Sequence, residues 1–154
     1  MTALRTENLT KRYGSRLAVD GIDLEVPAGV VAGFIGPNGA GKTTTMAMLL
    51  GLVARSAGSG TVLGESLDRP ASYLTRVGAL IETPAFWPGL TGSQNLRVLA
   101  TLGGHDRRRI PEVLELVGLD ERGGDRFGQY SLGMKQRLGI AAALLGDPEL
   151  LVLD

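Results

Sequence analysis

The sequence predicts an α/β fold assembled from an N-terminal antiparallel β region, a parallel β/α core and a helical region, on three observations. Leu4 to Leu9 and Leu17 to Val26 alternate apolar and polar residues, as half-buried antiparallel strands do. Residues 29–35 run Gly-Val-Val-Ala-Gly-Phe-Ile, short and apolar like a strand buried on both faces. Directly after it stands a glycine-rich octet, Gly36-Pro37-Asn38-Gly39-Ala40-Gly41-Lys42-Thr43, which leads into a helix-forming stretch.

Taken in order, the first two strands are separated by a turn at Gly14-Ser15, and Ile22, Leu24 and Val26 share one face of the second. After the octet, Thr44 to Leu52 continue as a helix. Ala57-Gly58-Ser59-Gly60 reads as a flexible break, Thr61 to Leu63 as a short strand and Pro70 to Leu74 as a short helix. Val77 to Ile81 is a further buried strand. Ser93 to Leu102 and Pro111 to Val117 have helical apolar spacing, Pro111 suiting a first helical position, with residues 103–106 as the loop between them. Ser131 caps a helix that runs through Lys135, Leu138, Ile140 and Leu144 to Gly146, where Asp147-Pro148 stops it. Leu150 to Leu153 forms a last buried strand. Neither a repeat nor a linker interrupts the chain, so it reads as one domain with regions 1–30, 31–82, 83–146 and 147–154. Arg107-Arg108-Arg109 reads as a solvated helix entrance.

The octet fits G-x-x-x-x-G-K-[ST], a loop that wraps nucleotide phosphates between a strand and a helix. Its glycines let backbone N–H groups converge on phosphate oxygens, Lys42 adds a mobile charge and Thr43 offers a hydroxyl to Mg²⁺. Thr44 follows at the start of the helix, whose N-terminal dipole faces the phosphates. The nucleotide-binding set is therefore Gly36 through Thr44.

Composition narrows the rest. With 154 residues, 44% hydrophobic content and a formal net charge of zero, the chain reads as one soluble globular unit with enough apolar content for a core. Nothing in that balance demands a nucleic acid or an acidic partner. The absence of cysteine excludes disulfides, thiolate metal sites and cysteine redox chemistry. The N-terminus has no apolar signal core, and no run reaches the roughly 18 apolar residues of a membrane helix, so a membrane role requires a partner.

Together these motifs resemble the nucleotide-binding domain of ABC transporters over nearly the whole chain. Leu9-Thr10-Lys11-Arg12-Tyr13-Gly14 resembles the family's adenine-stacking segment, the octet its phosphate loop (Walker A), Ser131-Leu132-Gly133-Met134-Lys135-Gln136-Arg137 its signature motif, and Leu150 to Asp154 its Walker B strand. The resemblance implies a P-loop NTPase fold with an antiparallel β subdomain, a parallel core sheet and a helical signature subdomain. It implies ATP and Mg²⁺ as ligands and a dimer with a second ATP-binding subunit. It also implies a membrane-spanning permease as the route of membrane contact, no nucleic acid, and a cytoplasmic place on the inner face of the membrane. Tyr13 would stack on adenine, or else cover the hairpin edge. Ser131, Leu132, Gly133 and Met134 would meet the ATP of the opposite subunit, while Ser131 serves as an N-cap in either case. Thr43, Glu82 and Asp154 would surround Mg²⁺.

Two departures from the family pattern point to a subgroup. The signature keeps its serine and second glycine but has Leu132 and Met134 at neighbouring positions, and Glu82, in Ala79-Leu80-Ile81-Glu82-Thr83-Pro84, replaces the usual glutamine. With Leu90-Thr91 and Gln94-Asn95-Leu96, these resemble bacterial exporters of the bacitracin and daunorubicin type, which implies export of drugs or peptide antibiotics. Phe86 and Trp87 read either as permease-docking residues or as buried filler, and His105 has no assigned role.

The resemblance also implies that the family's catalytic glutamate, dimer-contacting loop and switch histidine come after Asp154, so no catalytic residue lies within these residues. The expectation is a truncated piece of a longer ATPase that turns over ATP poorly alone, since a general base contributes about 10²–10⁴-fold. A soluble ABC-type ATPase acting on ribosomes or DNA, and an inert nucleotide-binding fragment, are the competing readings.

Overall fold

The alternation in the first residues resolves into a long antiparallel hairpin of β1 (Thr2–Tyr13) and β2 (Arg16–Pro27), in which Leu4 pairs with Val26, Thr6 with Leu24 and Leu9 with Ile22. The computed structural model describes residues 1–82 and 85–154 and divides them into two units, Met1–Leu74 and Thr75–Asp154. Thr83 and Pro84, at the end of the segment around Glu82, lie outside the described residues.

In the first unit β1 also pairs antiparallel with β3 (Ala57–Val62), and β3 turns back into β4 (Glu65–Ser66), giving a sheet of order β2-β1-β3-β4. Where the β1–β2 register shifts, the buried Thr6 hydroxyl donates to the Ile22 carbonyl at 2.9 Å and accepts from the Leu24 amide at 3.0 Å. That side chain takes over the ladder bonds which the bulge interrupts. Helix α1 (Lys42–Leu49) buries Met46, Met48 and Leu49, and Leu4, Leu9 and Val62 are buried in the sheet. The fully buried Tyr73 donates its hydroxyl to the Leu49 carbonyl at 2.8 Å, and burial raises its phenol above the ordinary range.

Two expectations fail in this unit. Residues 57–60 are strand, not a flexible break. The glycines there serve close approach: a Cβ on Gly58 would fall 2.3 Å from the Asn8 carbonyl oxygen, and one on Gly60 2.6 Å from that of Arg5. Conversely, residues 29–35 form no strand. A run becomes a strand only when a neighbour completes its hydrogen bonds, and the order β2-β1-β3-β4 leaves this one outside the sheet, with Val30, Val31 and Ile35 exposed.

In the second unit β5 (Val77–Leu80) and β6 (Leu150–Leu153) form a parallel pair, with Val77 opposite Leu150 and Leu80 opposite Leu153. Helices α2 (Gly92–Gly103), α3 (Ile110–Leu116) and α4 (Leu132–Leu144) fill the connection, as a parallel crossover requires. Leu96, Ala100, Val113, Leu119 and Leu138 are fully buried at their centre. Helix α4 packs tightly on β5, where a Cβ on Gly78 would fall 2.1 Å from the Ala143 carbonyl oxygen. The last strand forms but is less buried than expected: among the described residues β6 has β5 as its one lateral neighbour, and Leu151 and Leu153 are exposed.

Candidate functional site

The phosphate loop enters α1 through Gly41, the N-cap, whose φ of 91° and ψ of 11° are left-handed. A β-carbon is excluded there on conformational grounds and by the backbone of β2, as the Ala18 carbonyl oxygen would lie 2.4 Å away. No side chain caps this end of α1, so the helix's positive dipole end meets the open loop. The Gly41 carbonyl accepts from both the amide and the hydroxyl of Thr45, each at 2.8 Å, which pins the first turn. Pro37, Asn38, Gly39 and Ala40 are exposed, and Gly36, Lys42, Thr43 and Thr44 are half-buried at the loop's two ends.

Lys42 folds back over the loop. Its Nζ donates to the carbonyls of Gly36 at 2.7 Å and Pro37 at 3.0 Å, which uses two of the three ammonium protons. The ammonium is thus held over the glycine arc with a donor to spare for an anion.

Tyr13 ends β1 in the same unit and keeps 49% of its surface exposed. Lys11 lies two residues earlier, on the same face of the strand, with Nζ 4.7 Å from the Tyr13 ring centroid. That ammonium also donates to the Ala54 carbonyl at 2.6 Å.

In the second unit, Asp154 follows β6, and its amide donates to the Leu80 carbonyl at 2.9 Å. Glu82 stands two residues past Leu80 with a φ of 63°, uncommon for a non-glycine residue and found disproportionately at functional positions. Both acids are exposed at the carboxyl ends of adjacent parallel strands, the edge at which α/β sheets bind ligands. Within this unit the carboxylates of Glu82 and Asp154 are oxygen donors of the kind a hard cation takes, and in the other unit the Thr43 hydroxyl is a donor of the same kind. Among the described residues no three His, Cys, Asp or Glu side chains gather into a group that could hold a metal ion.

Ser131 caps α4, its hydroxyl accepting from the Met134 amide at 3.3 Å. Leu132, 72% exposed, and Gly133, with open space at its Cβ position, lie on the same helix end. The two aromatic residues treated together in the sequence separate here. Phe86 packs edge-on against Phe127, centroids 5.0 Å apart, as part of the core, whereas Trp87 is 47% exposed. The His105 ring fills the space beside Gly103 and Gly146.

Sequence reasoning missed the residue that holds the Trp87 loop. Asn95, fully buried, accepts from the Trp87 amide at 2.9 Å and donates to the carbonyls of Trp87, Leu90 and Thr91 at 3.1, 3.4 and 3.0 Å. The signal for its helix was present: Thr91 and Gln94 form a capping box, the T-x-x-Q pattern just before an apolar face.

A family model described as ABC transporter matches residues 19–154. The chain is 47% identical to the bacitracin transport ATP-binding protein BcrA of Bacillus licheniformis, over 99% of this chain and 51% of that protein. It is 40% identical to the lantibiotic transport ATP-binding protein SrtF of Streptococcus pyogenes, over 98% of this chain and 65% of that protein. Its fold matches the ATP binding subunit of an ABC transporter with a TM-score of 0.84 at 31% identity, over 99% of this chain and 66% of that one. A dimeric ATP-binding cassette in a post-hydrolysis state, bound to ADP and phosphate, matches in fold with a TM-score of 0.85 at 22% identity, over 98% of this chain and 73% of that one. The chain spans about half the length of the bacitracin transport relative. No helix among the described residues is long and apolar enough to cross a membrane.

Proposed function

The chain belongs to the ABC transporter family, and on that premise we propose that it forms the ATP-binding part of the energy-coupling subunit of a bacterial exporter of peptide antibiotics or related drugs. The observation that carries the reading is the phosphate loop, with its uncapped helix end and Lys42 drawn over the glycine arc. The substrate class is supported by the bacitracin and lantibiotic relatives.

The roles follow from the chemistry of each group. Tyr13 offers a half-exposed ring face on which adenine stacks, an interaction of about 1–3 kcal/mol. Residues 36–44 receive the phosphates on backbone N–H groups and the positive end of α1, while Lys42 supplies a charge-assisted hydrogen bond. Thr43 in the first unit, and Glu82 and Asp154 in the second, each offer an oxygen donor of the kind that would hold Mg²⁺, and the ion would supply neutralisation of phosphate charge. Ser131, Leu132, Gly133 and Met134 present a helix N-terminus to the ATP of a second subunit. Trp87, exposed on a loop fixed by Asn95, faces a membrane-spanning permease, through which the subunit sits at the cytoplasmic side of the membrane.

The test is resistance. The whole protein, produced with its permease in a sensitive bacterium, is expected to raise tolerance to a bacitracin-class peptide, and Lys42→Ala is expected to abolish the gain. Resistance that survives Lys42→Ala would contradict the proposed coupling.

A further inference from the structure

We propose that Lys11 is a positioning residue for the base-binding platform, holding one face of Tyr13 so that the other is presented to the purine. The proposal rests on the reading of Tyr13 as the adenine-stacking residue.

The ammonium of Lys11 has two attachments. Its 4.7 Å distance from the Tyr13 centroid lies within the roughly 6 Å over which a cation is attracted to an aromatic face. Its hydrogen bond to the Ala54 carbonyl, at 2.6 Å, reaches the segment that follows α1. That segment is itself fastened to β1: the Ser56 amide donates to the Thr10 carbonyl at 2.8 Å, and the Arg12 amide donates to the Ser56 hydroxyl at 2.9 Å. The cation is therefore fixed in place. A lysine on a mobile stem would lose rotamer freedom with little gain, whereas this one is held by backbone on one side and by a ring on the other.

Two consequences follow for recognition. The ring cannot turn towards the strand without displacing an ammonium that the Ala54 carbonyl retains, so its free face points outward before any nucleotide arrives. Such preorganisation lowers the ordering cost of binding. The same link joins the platform to the segment after α1, the helix that begins in the phosphate loop. Base and phosphate sites are thus tied within one unit through Lys11 and α1. The ion pairs of this unit, Arg5–Glu7 and Arg55–Asp68, do not include Lys11, so its charge is not spent on a carboxylate.

The experiment is a set of titrations on the whole protein, with Mg·ATP and with inorganic tripolyphosphate, which has phosphates but no base. Lys11→Met keeps the stem and removes the charge, and Lys11→Arg keeps a cation able to lie over the ring. Lys11→Met is expected to weaken ATP binding about two- to fivefold and leave tripolyphosphate binding unchanged, the latter also reporting a folded phosphate loop. Lys11→Arg is expected to retain ATP binding. In a Tyr13→Ala background Lys11→Met should have no further effect. Equal losses for ATP and tripolyphosphate would make Lys11 a phosphate contact and overturn the proposal. The same loss with and without the Tyr13 ring, or no loss at all, would also overturn it. ATP binding unaffected by Tyr13→Ala alone would instead refute the adenine-stacking reading beneath it.

Discussion

Gly41 and Ala18 meet backbone to backbone: a β-carbon on Gly41 would stand 2.4 Å from the Ala18 carbonyl oxygen and 2.9 Å from Val19 Cγ2. The loop proposed to receive phosphates is therefore shaped by the second strand of the hairpin as well as by its own glycines. Gly39 differs, since its φ of 83° is left-handed too but nothing lies within 4 Å of its Cβ position.

That contrast gives the first prediction. Gly39→Ala meets conformational strain alone, about 1–2 kcal/mol, while Gly41→Ala must also displace a backbone carbonyl. Thermal melts with and without Mg·ATP should show a modest loss for Gly39→Ala. Gly41→Ala should lose more stability and nearly all of the nucleotide-dependent rise. Equal behaviour of the two variants would mean that the contact with β2 does not shape the loop.

Asn95→Ala should destabilise by about 2–3 kcal/mol, because it strands the Trp87 amide and removes the donor shared by three carbonyls. The chain has one tryptophan, so emission reports on this loop directly. A shift in the Trp87 spectrum is expected on mutation. An unchanged spectrum and melt would show that the loop holds without the clamp.

At Ser131 the two proposed roles separate. Aspartate caps helices as well as serine does, so Ser131→Asp should preserve stability, whereas Ser131→Ala should lose about 1 kcal/mol. If a phosphate of the opposing subunit meets this helix end, the added carboxylate repels it, and ATPase activity of the whole protein should fall sharply in Ser131→Asp. Full activity in that variant would leave Ser131 as a cap alone.

Glu149 forms a paired contact with Arg76, 2.6 Å from Oε1 to Nε and 2.8 Å from Oε2 to Nη2, and these hydrogen bonds hold its carboxyl below the ordinary glutamate range. A depressed folded-state pKa gives stability that is present above the unfolded value and lost as pH falls through the folded one. The stability difference between wild type and Glu149→Gln should accordingly be constant near neutral pH and shrink as pH drops below the usual glutamate titration. Being exposed, the pair should contribute little, and a difference that grows in acid would reverse the assignment.

The hairpin and the phosphate loop were legible because each is written locally: alternation fixes which face of β1 and β2 is buried, and the octet carries its own backbone geometry. The capping box at Thr91 and Gln94 is equally local, a T-x-x-Q pattern at the start of the helix that the apolar spacing of Ser93 to Leu102 predicts. What misled was context. Gly58 and Gly60 resemble a flexible break in sequence, yet they sit in a strand because β1 comes too close for side chains. Residues 29–35 have strand composition, and composition cannot supply a hydrogen-bonding neighbour. The Lys11–Tyr13 contact, the Asn95 clamp and the left-handed Glu82 depend on tertiary placement, which no spacing rule encodes.

The central claim, that residues 36–44 bind the phosphates of ATP with Lys42 as the charged contact, is tested most directly by calorimetric titration of Mg·ATP into the whole protein and its Lys42→Ala variant. A charge-assisted contact of about 1.5–3 kcal/mol predicts at least a tenfold loss of affinity in a variant that remains folded. Affinity equal to wild type would contradict the account.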